Sequence, residues 1–224
     1  MSFSSSERPR ALTPKEKALV EKNRALEAEV RVAGVENWGR QEEQKGLEEK
    51  IGDLEERIGI DPLTGARQRD VLFAELDQML KRIHEPTGEH RKEGVSVIFI
   101  DLDNFKKVND KFGHGTGDKV LIKVAGLLKG PLRDSDILAR YGGDEFVVLL
   151  PNTNEEHALV VAEKLRTVFE DQDLSVLGVT ASIGLCSSDL SSAADSKTFI
   201  DNADKAAYAA KDSGKNAVRV YHGS

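Results

Sequence analysis

The spacing of apolar residues along this chain changes character near residue 60. Before that point leucines recur every seventh residue. Leu12, Leu19, Leu26, Leu47 and Leu54 share one register, with Ala33 and Arg40 between them. The companion positions are Glu16, Asn23, Val30, Asn37, Gln44, Ile51 and Ile58. An apolar seam at both ends predicts a parallel coiled coil rather than one amphipathic helix packed on its own domain. Asn37, Arg40 and Gln44 fall on the seam, and Gly34, Gly39 and Gly46 weaken the helix around them. The organisation predicted is a loose tail over residues 1–13, a helical dimerisation segment over 14–60 and a folded domain over 61–224.

Beyond Asp61-Pro62-Leu63-Thr64-Gly65 the periods shorten. Leu72, Phe73, Leu76, Leu80 and Ile83 lie on one face of a helix capped by Asp70. Residues 84–94 read as a polar loop. Val95 to Leu102 is apolar nearly throughout, so it predicts a central strand covered on both faces. A polar loop or short helix follows over Asn104–Asp110. Next comes a glycine-rich approach, Phe112–Asp118, to a helix burying Val120, Leu121, Val124, Leu127 and Leu128. The runs Ile137–Ala139 and Phe146–Leu150 flank Gly142-Gly143. They predict a tight hairpin in which glycine supplies positive φ. A helix with Ala158, Val161, Ala162, Leu165, Val168 and Phe169 inward then opens at a capping box, Thr153 to Glu156. A strand over 176–187, a helix from Ser196 or Lys197 to Gly214 and a short strand from Ala217 to Tyr221 complete the reading.

Composition narrows the partners. The 224 residues carry a net charge of -7, which argues against a nucleic-acid polymer, since that calls for a basic face. It leaves open a nucleotide whose charge is carried by a cation. Cys186 is the only cysteine and sits in an apolar run, where a buried inert thiol is expected. No apolar run approaches the ~20 residues that cross a bilayer, and the start, MSFSSSERPR, lacks the apolar core of a secretory signal. The expectation is a cytoplasmic protein with no membrane partner.

Two acidic strand ends carry the candidate chemistry. One is Asp101-Leu102-Asp103, whose carboxylates two apart share a face. The other is Asp144-Glu145 after the hairpin glycines. If the two strands are neighbours, their oxygens gather at one edge of the sheet. Hard oxygen ligands there select Mg²⁺, and two such ions would steady the attacking and leaving oxygens of a displacement at phosphorus. Lys106, Lys211 and Lys215 could neutralise the remaining phosphate charge. Asn109 and Asp118 could read a base, because a carboxylate accepts from guanine N1–H and N2–H₂ but finds no such pair on adenine.

Taken together, these motifs resemble the GGDEF-domain diguanylate cyclases. The resemblance rests on Asp61-Pro62-Leu63-Thr64-Gly65, Phe99-Ile100-Asp101-Leu102-Asp103-Asn104-Phe105-Lys106 and Asn109-Asp110-Lys111-Phe112-Gly113-His114. It continues through Gly117-Asp118, Gly142-Gly143-Asp144-Glu145-Phe146 and Ala181-Ser182-Ile183-Gly184. It implies an α+β fold of the nucleotide-cyclase and polymerase-palm kind. A mostly antiparallel sheet of about five strands would be wrapped by helices and preceded by the coiled coil. It implies a homodimer, one GTP per subunit, that condenses two GTP into cyclic di-GMP and two pyrophosphates, a bacterial second-messenger chemistry.

By the same resemblance Asp101, the Leu102 carbonyl and Asp144 hold two Mg²⁺ ions, with Mn²⁺ an alternative. Asp144 helps to deprotonate the 3′-hydroxyl, and Glu145 supports it. Asn109, His114 and Asp118 line the guanine pocket, though the His114 imidazole has the alternative of satisfying backbone groups. Phe105, Lys106, Lys211 and Lys215 meet the phosphates, and Asp103 is either a ligand or a hydrogen-bond anchor for the loop. Arg133-Asp134-Ser135-Asp136 matches an inhibitory motif, in which Arg133 and Asp136 would bind cyclic di-GMP; the alternative is a surface turn with a local ion pair. Lys215 stands where many members carry arginine, and Arg67-Gln68-Arg69 departs from the commoner Asn-Arg. A catalytically inactive receptor for GTP or cyclic di-GMP is the alternative reading, and a hybrid cyclase taking ATP is disfavoured by Asp118.

Overall fold

A computed structural model describes residues 13–15, 18, 22, 59–84, 94–188 and 195–223. Every heptad position of the predicted coiled coil lies outside those residues, as does most of the polar loop over 84–94. Pro14, Lys15, Ala18 and Lys22 are helical and exposed. The chain divides into two units, Met1–Leu54 and Glu55–Ser224, and the sheet with its covering helices belongs to the second.

Six strands form one mixed sheet in the order β1-β3-β4-β2-β5-β6. They are β1 (Arg67–Gln68), β2 (Val95–Asp103), β3 (Ile137–Arg140), β4 (Glu145–Pro151), β5 (Thr180–Ser187) and β6 (Ala217–Val220). The three inner pairings are antiparallel, while β1 with β3 and β5 with β6 are parallel. The expectation of about five mostly antiparallel strands is corrected to six in a mixed sheet. The extra one, β1, has two residues and no periodicity to announce it.

Helices cover both faces, which is why β2 reads as a continuous apolar run. Ile98, Ile100 and Leu102 face one core with Phe146, Val148, Ile183 and Leu185. That core is closed by α2 (Phe105–Phe112), α3 (His114–Lys129), α4 (Glu155–Thr167) and α5 (Gln172–Leu177). Val95, Val97 and Phe99 face the other, with Val147, Leu149 and Cys186. It is closed by α1 (Arg69–His84) and α6 (Ser196–Asp212). At ~25 cal/mol per Å² of apolar surface, burial on this scale dominates the stability of the domain.

Several boundaries differ from the pattern. Asp70 lies in the first turn of α1 rather than capping it. Of the loop and short helix both allowed after Asp103, the helix is present as α2, while α3 starts already at His114, so Gly115 and Gly117 are helical. Asn154, not Thr153, caps α4, its side chain accepting from the His157 N–H. The strand expected over 176–187 begins at Thr180, because α5 takes the residues through Leu177 and closes on Gly178 at φ 69°.

Candidate active site

The register of the central strands brings the acids together. Asp101 is directly opposite Glu145 in the β2–β4 pair. One residue on, the Leu102 N–H donates to the Asp144 carbonyl at 3.2 Å. Both acidic strand ends therefore meet at one edge of the sheet, beside Ser182, which faces Asp101 from β5.

The hairpin is closed by the Glu145 carbonyl, which accepts from the N–H groups of Tyr141 (2.9 Å) and Gly142 (3.3 Å). Neither Gly142 nor Gly143 has positive φ, contrary to the expectation from the turn chemistry. Their role is space. A methyl on Gly142 would run into the Glu145 carboxylate, whereas Gly143 has nothing within 4 Å of where its Cβ would stand. The tip thus offers bare backbone to a ligand.

Arg140 braces this tip, although no motif in the sequence singles it out. Its guanidinium donates to the Gly143 carbonyl at 2.8 Å and the Gly142 carbonyl at 3.2 Å. It also pairs with Asp61 at 3.3 Å. Asp61 in turn accepts from the Thr64 N–H (2.8 Å) and hydroxyl (2.6 Å). Beside it Arg69 stacks on Tyr141, 4.2 Å from the ring centroid, and Tyr141 meets Phe99 edge-on. In the departure at residues 67–69, Gln68 donates to the Ile60 carbonyl at 3.0 Å. The one available signal for Arg140 is an arginine at the end of a strand, just ahead of the turn glycines.

Electrostatics mark the strand ends as a crowded acidic cluster. Burial, joined by the charges of Asp144 and Asp103, raises the Asp101 carboxyl above its ordinary range despite the hydrogen bond and charge of Lys211. Lys211, in the last turn of α6, reaches Asp101 Oδ2 at 2.6 Å. Burial works to lower the Lys211 ammonium, but the neighbouring carboxylates, Asp101 first, hold it above its usual value. Burial also raises Glu145, helped by the charges of Asp101 and Asp144. Such acids crowd together where a cation is to be held.

Over residues 58–217 the sequence matches the family described as diguanylate cyclase, GGDEF domain. The chain belongs to that family. It is 40% identical over 166 residues to diguanylate cyclase A of Treponema denticola, covering 71% of this chain and 43% of that protein. The chain thus spans less than half the length of the curated relatives it matches. Among solved structures it is similar to the GGDEF domain of TpbB (YfiN) from Pseudomonas aeruginosa. That match has 33% identity and a TM-score of 0.64, and covers 72% of this chain and 94% of the other. It is also similar to the coiled coil and GGDEF domain of DgcB from Caulobacter crescentus in complex with c-di-GMP. Here identity is 26% and the TM-score 0.64, with coverage of 86% and 98%.

The structure sorts the residues that the GGDEF resemblance implicates. Asp101 Oδ1 is buried and has no hydrogen-bond partner, as suits an oxygen kept for a cation. Among the described residues no three His, Cys, Asp or Glu side chains are grouped to hold a metal ion as they stand. Asp101, Asp144 and the Leu102 carbonyl offer two carboxylates and one carbonyl, a hard oxygen set that fits Mg²⁺ completed by water and phosphate. Asp103 is not part of that set, because both its oxygens are taken by hydroxyls and an N–H.

Asn109 Oδ1 is likewise buried without a partner and lies against Gly117, where a Cβ would collide with it. Asn109 on α2 and Asp118 on α3 thus flank the kink at Gly113, φ 82°. His114 is exposed at the start of α3, and Lys106 is exposed on α2. The Phe105 ring is buried in the core, at the first residue of α2. Lys215 reaches Asn104 Oδ1 at 3.1 Å, beside the start of α2.

The Arg133–Asp136 segment is a turn held by Asp136, whose carboxylate accepts from the Arg133 N–H at 2.8 Å. Asp136 is buried, and the Arg133 side chain is exposed. No helix among the described residues is long and apolar enough to cross a membrane.

Proposed function

We propose that this protein is an active diguanylate cyclase that condenses two GTP into cyclic di-GMP. The observation that carries the reading is the pairing of Asp101 with Glu145 and of Leu102 with Asp144 at one sheet edge, with Lys211 on Asp101. Asp101, Asp144 and the Leu102 carbonyl hold the divalent cation, and Mg²⁺ bound there supplies Lewis-acid polarisation of phosphoryl oxygens. Lys211, Lys215, Lys106 and the first N–H groups of α2 bind the triphosphate. Asn109 and Asp118 orient guanine, with His114 at the rim.

The 3′-hydroxyl of one GTP attacks the α-phosphorus of the other. The bond to the β-phosphate oxygen breaks, and pyrophosphate leaves with that electron pair. Asp144, supported by Glu145, receives the hydroxyl proton. The same exchange in the opposite sense closes the ring and releases the second pyrophosphate.

One GTP per subunit requires two chains, and the heptad-patterned segment over 14–60 is the proposed dimerisation helix. The DgcB structure likewise joins a coiled coil to its GGDEF domain. Arg133, with Asp136 setting its turn, is proposed to bind the product and inhibit. A cytoplasmic site of action belongs to the same proposal. Incubation with GTP and Mg²⁺ is expected to yield cyclic di-GMP and two pyrophosphates. GTP binding without product would overturn the enzyme in favour of a receptor.

A further inference from the structure

Asp103 ends β2 and is 1% exposed, yet the proposed reaction gives it no task. A carboxylate this deep is stable only with its lone pairs engaged. Oδ1 accepts from the Ser182 hydroxyl at 2.8 Å. Oδ2 accepts from the Thr180 hydroxyl at 2.7 Å and from the backbone N–H of Asn216 at 3.1 Å. The two hydroxyls tie the end of β2 to β5. The N–H comes from elsewhere, the turn between α6 and β6.

That turn is conformationally costly. Gly214, Lys215 and Asn216 follow one another at φ 113°, 69° and 43°. Glycine accepts positive φ freely and asparagine tolerates it, whereas lysine resists it, and two non-glycine residues in succession there are held by their surroundings. The end of α6 is capped by its own bonds, the Ser213 N–H to the Ala209 carbonyl at 3.1 Å and the Gly214 N–H to the Lys211 carbonyl at 3.3 Å, but beyond Gly214 the bonds are few. The Lys215 N–H reaches the Ala210 carbonyl at 3.1 Å. Asn216 Oδ1 accepts from Arg166 at 3.2 Å, and Lys215 Nζ donates to Asn104, both in solvent. The bond to Asp103 is charge-assisted and, unlike those two, ends on a buried acceptor.

We propose that Asp103 is a positioning residue: its carboxylate clamps the left-handed turn after α6, and through that turn it fixes Lys211 and Lys215 at the phosphate end of the nucleotide site. Lys215 belongs to the turn, and Lys211 adjoins it, its carbonyl accepting from the Gly214 N–H at 3.3 Å. Without the clamp the turn relaxes toward negative φ. Lys215 then swings away from Asn104, and Lys211, whose carbonyl is tied to the same turn by the Gly214 N–H, loses part of its anchorage. The inference rests on the reading of these two lysines as phosphate ligands.

The test compares the parent with Asp103→Ala, Asp103→Asn and the double variant Asp103→Ala/Asn216→Gly. The ligands are 3′-deoxy-GTP, which lacks the attacking hydroxyl, and guanosine, which lacks phosphate. Amide hydrogen exchange at Asn216 is followed in parallel. In Asp103→Ala we expect exchange at Asn216 to accelerate and affinity for 3′-deoxy-GTP to fall about tenfold, with guanosine affinity unchanged. Asp103→Asn keeps an acceptor and loses about threefold. In the double variant glycine takes positive φ at 216 without strain but gives up the Arg166 bond, so part of the lost affinity returns. Equal losses for both ligands, an unchanged Asp103→Ala, or no recovery with glycine would overturn the clamp. Should Asp103→Ala fail to fold, Asp103→Asn with and without Asn216→Gly carries the same comparison. A parent that binds 3′-deoxy-GTP no tighter than guanosine refutes the phosphate reading itself, and the exchange data then judge the clamp alone.

Discussion

Gly184→Ala is expected to be among the most damaging single-methyl changes in this domain. Gly184 sits in β5 between Phe99 of β2 and Arg219 of β6. A Cβ placed there would lie 2.9 Å from the Ala206 carbonyl carbon, and closer still to the Ala203 carbonyl oxygen and the Ala207 N–H nitrogen. All three are main-chain atoms of α6, so no side chain can rotate out of the way. The helix must lift off the sheet, opening gaps around Phe199, Ile200, Ala203 and Ala207, each at most 1% exposed. Overpacking costs about 1–3 kcal/mol where side chains adjust. With backbone as the obstacle we expect about 3 kcal/mol, or a melting temperature lower by roughly 10 °C for a domain of this size. Lys211 rides on the same helix, 2.6 Å from Asp101, so nucleotide affinity falls as well. Thermal and urea unfolding followed by circular dichroism measure the loss. Gly126→Ala is the control of opposite sign: nothing lies within 4 Å of its Cβ position on α3, and alanine there should add about 0.5–1 kcal/mol. A Gly184→Ala protein melting within about 2 °C of the parent would refute the reasoning.

Asp144→Ala should abolish turnover while leaving the fold intact, since it removes a cation ligand from the hairpin tip and not from the core; cyclic di-GMP formation and circular dichroism check the two halves. Glu145 titrates above its ordinary range in the folded chain because of burial and then the charges of Asp101 and Asp144. Its folded value exceeds the unfolded one, so stability declines as pH rises between them, and the penalty is complete above the folded value. Glu145→Gln should therefore melt higher than the parent at neutral pH, with the gain vanishing as pH falls to about 4; a pH-independent difference contradicts this. Arg133→Ala should retain initial rates and lose inhibition by added cyclic di-GMP, measured as the shift of its inhibition curve. Removing residues 1–58 should lower specific activity most at low protein concentration, and equal activity at every concentration would count against the dimerisation helix.

The order of the elements and the identity of the acids can be read from the amino-acid sequence alone. Period-two and helical apolar spacings are local, so β2, β4, α1, α4 and α6 follow from them directly. The continuous apolar run of β2 also announces its place inside a doubly covered sheet. Chemistry that depends on residue type is legible for the same reason, from the carboxylates at Asp101 and Asp144 to the paired glycines of the hairpin.

Which groups meet across the sheet is settled only once the chain has folded. The strand order sets Asp101 against Glu145. Arg140 spans the gap to Asp61, 79 residues away in the chain. Asp103 reaches Asn216 over a separation of 113 residues. No local pattern encodes such pairings, because they depend on register and on where α6 comes to rest on β5. The same holds for the glycines. Gly142 is there for the Glu145 carboxylate and Gly184 for the backbone of α6, and in both cases the reason lies in atoms that sequence spacing does not bring near.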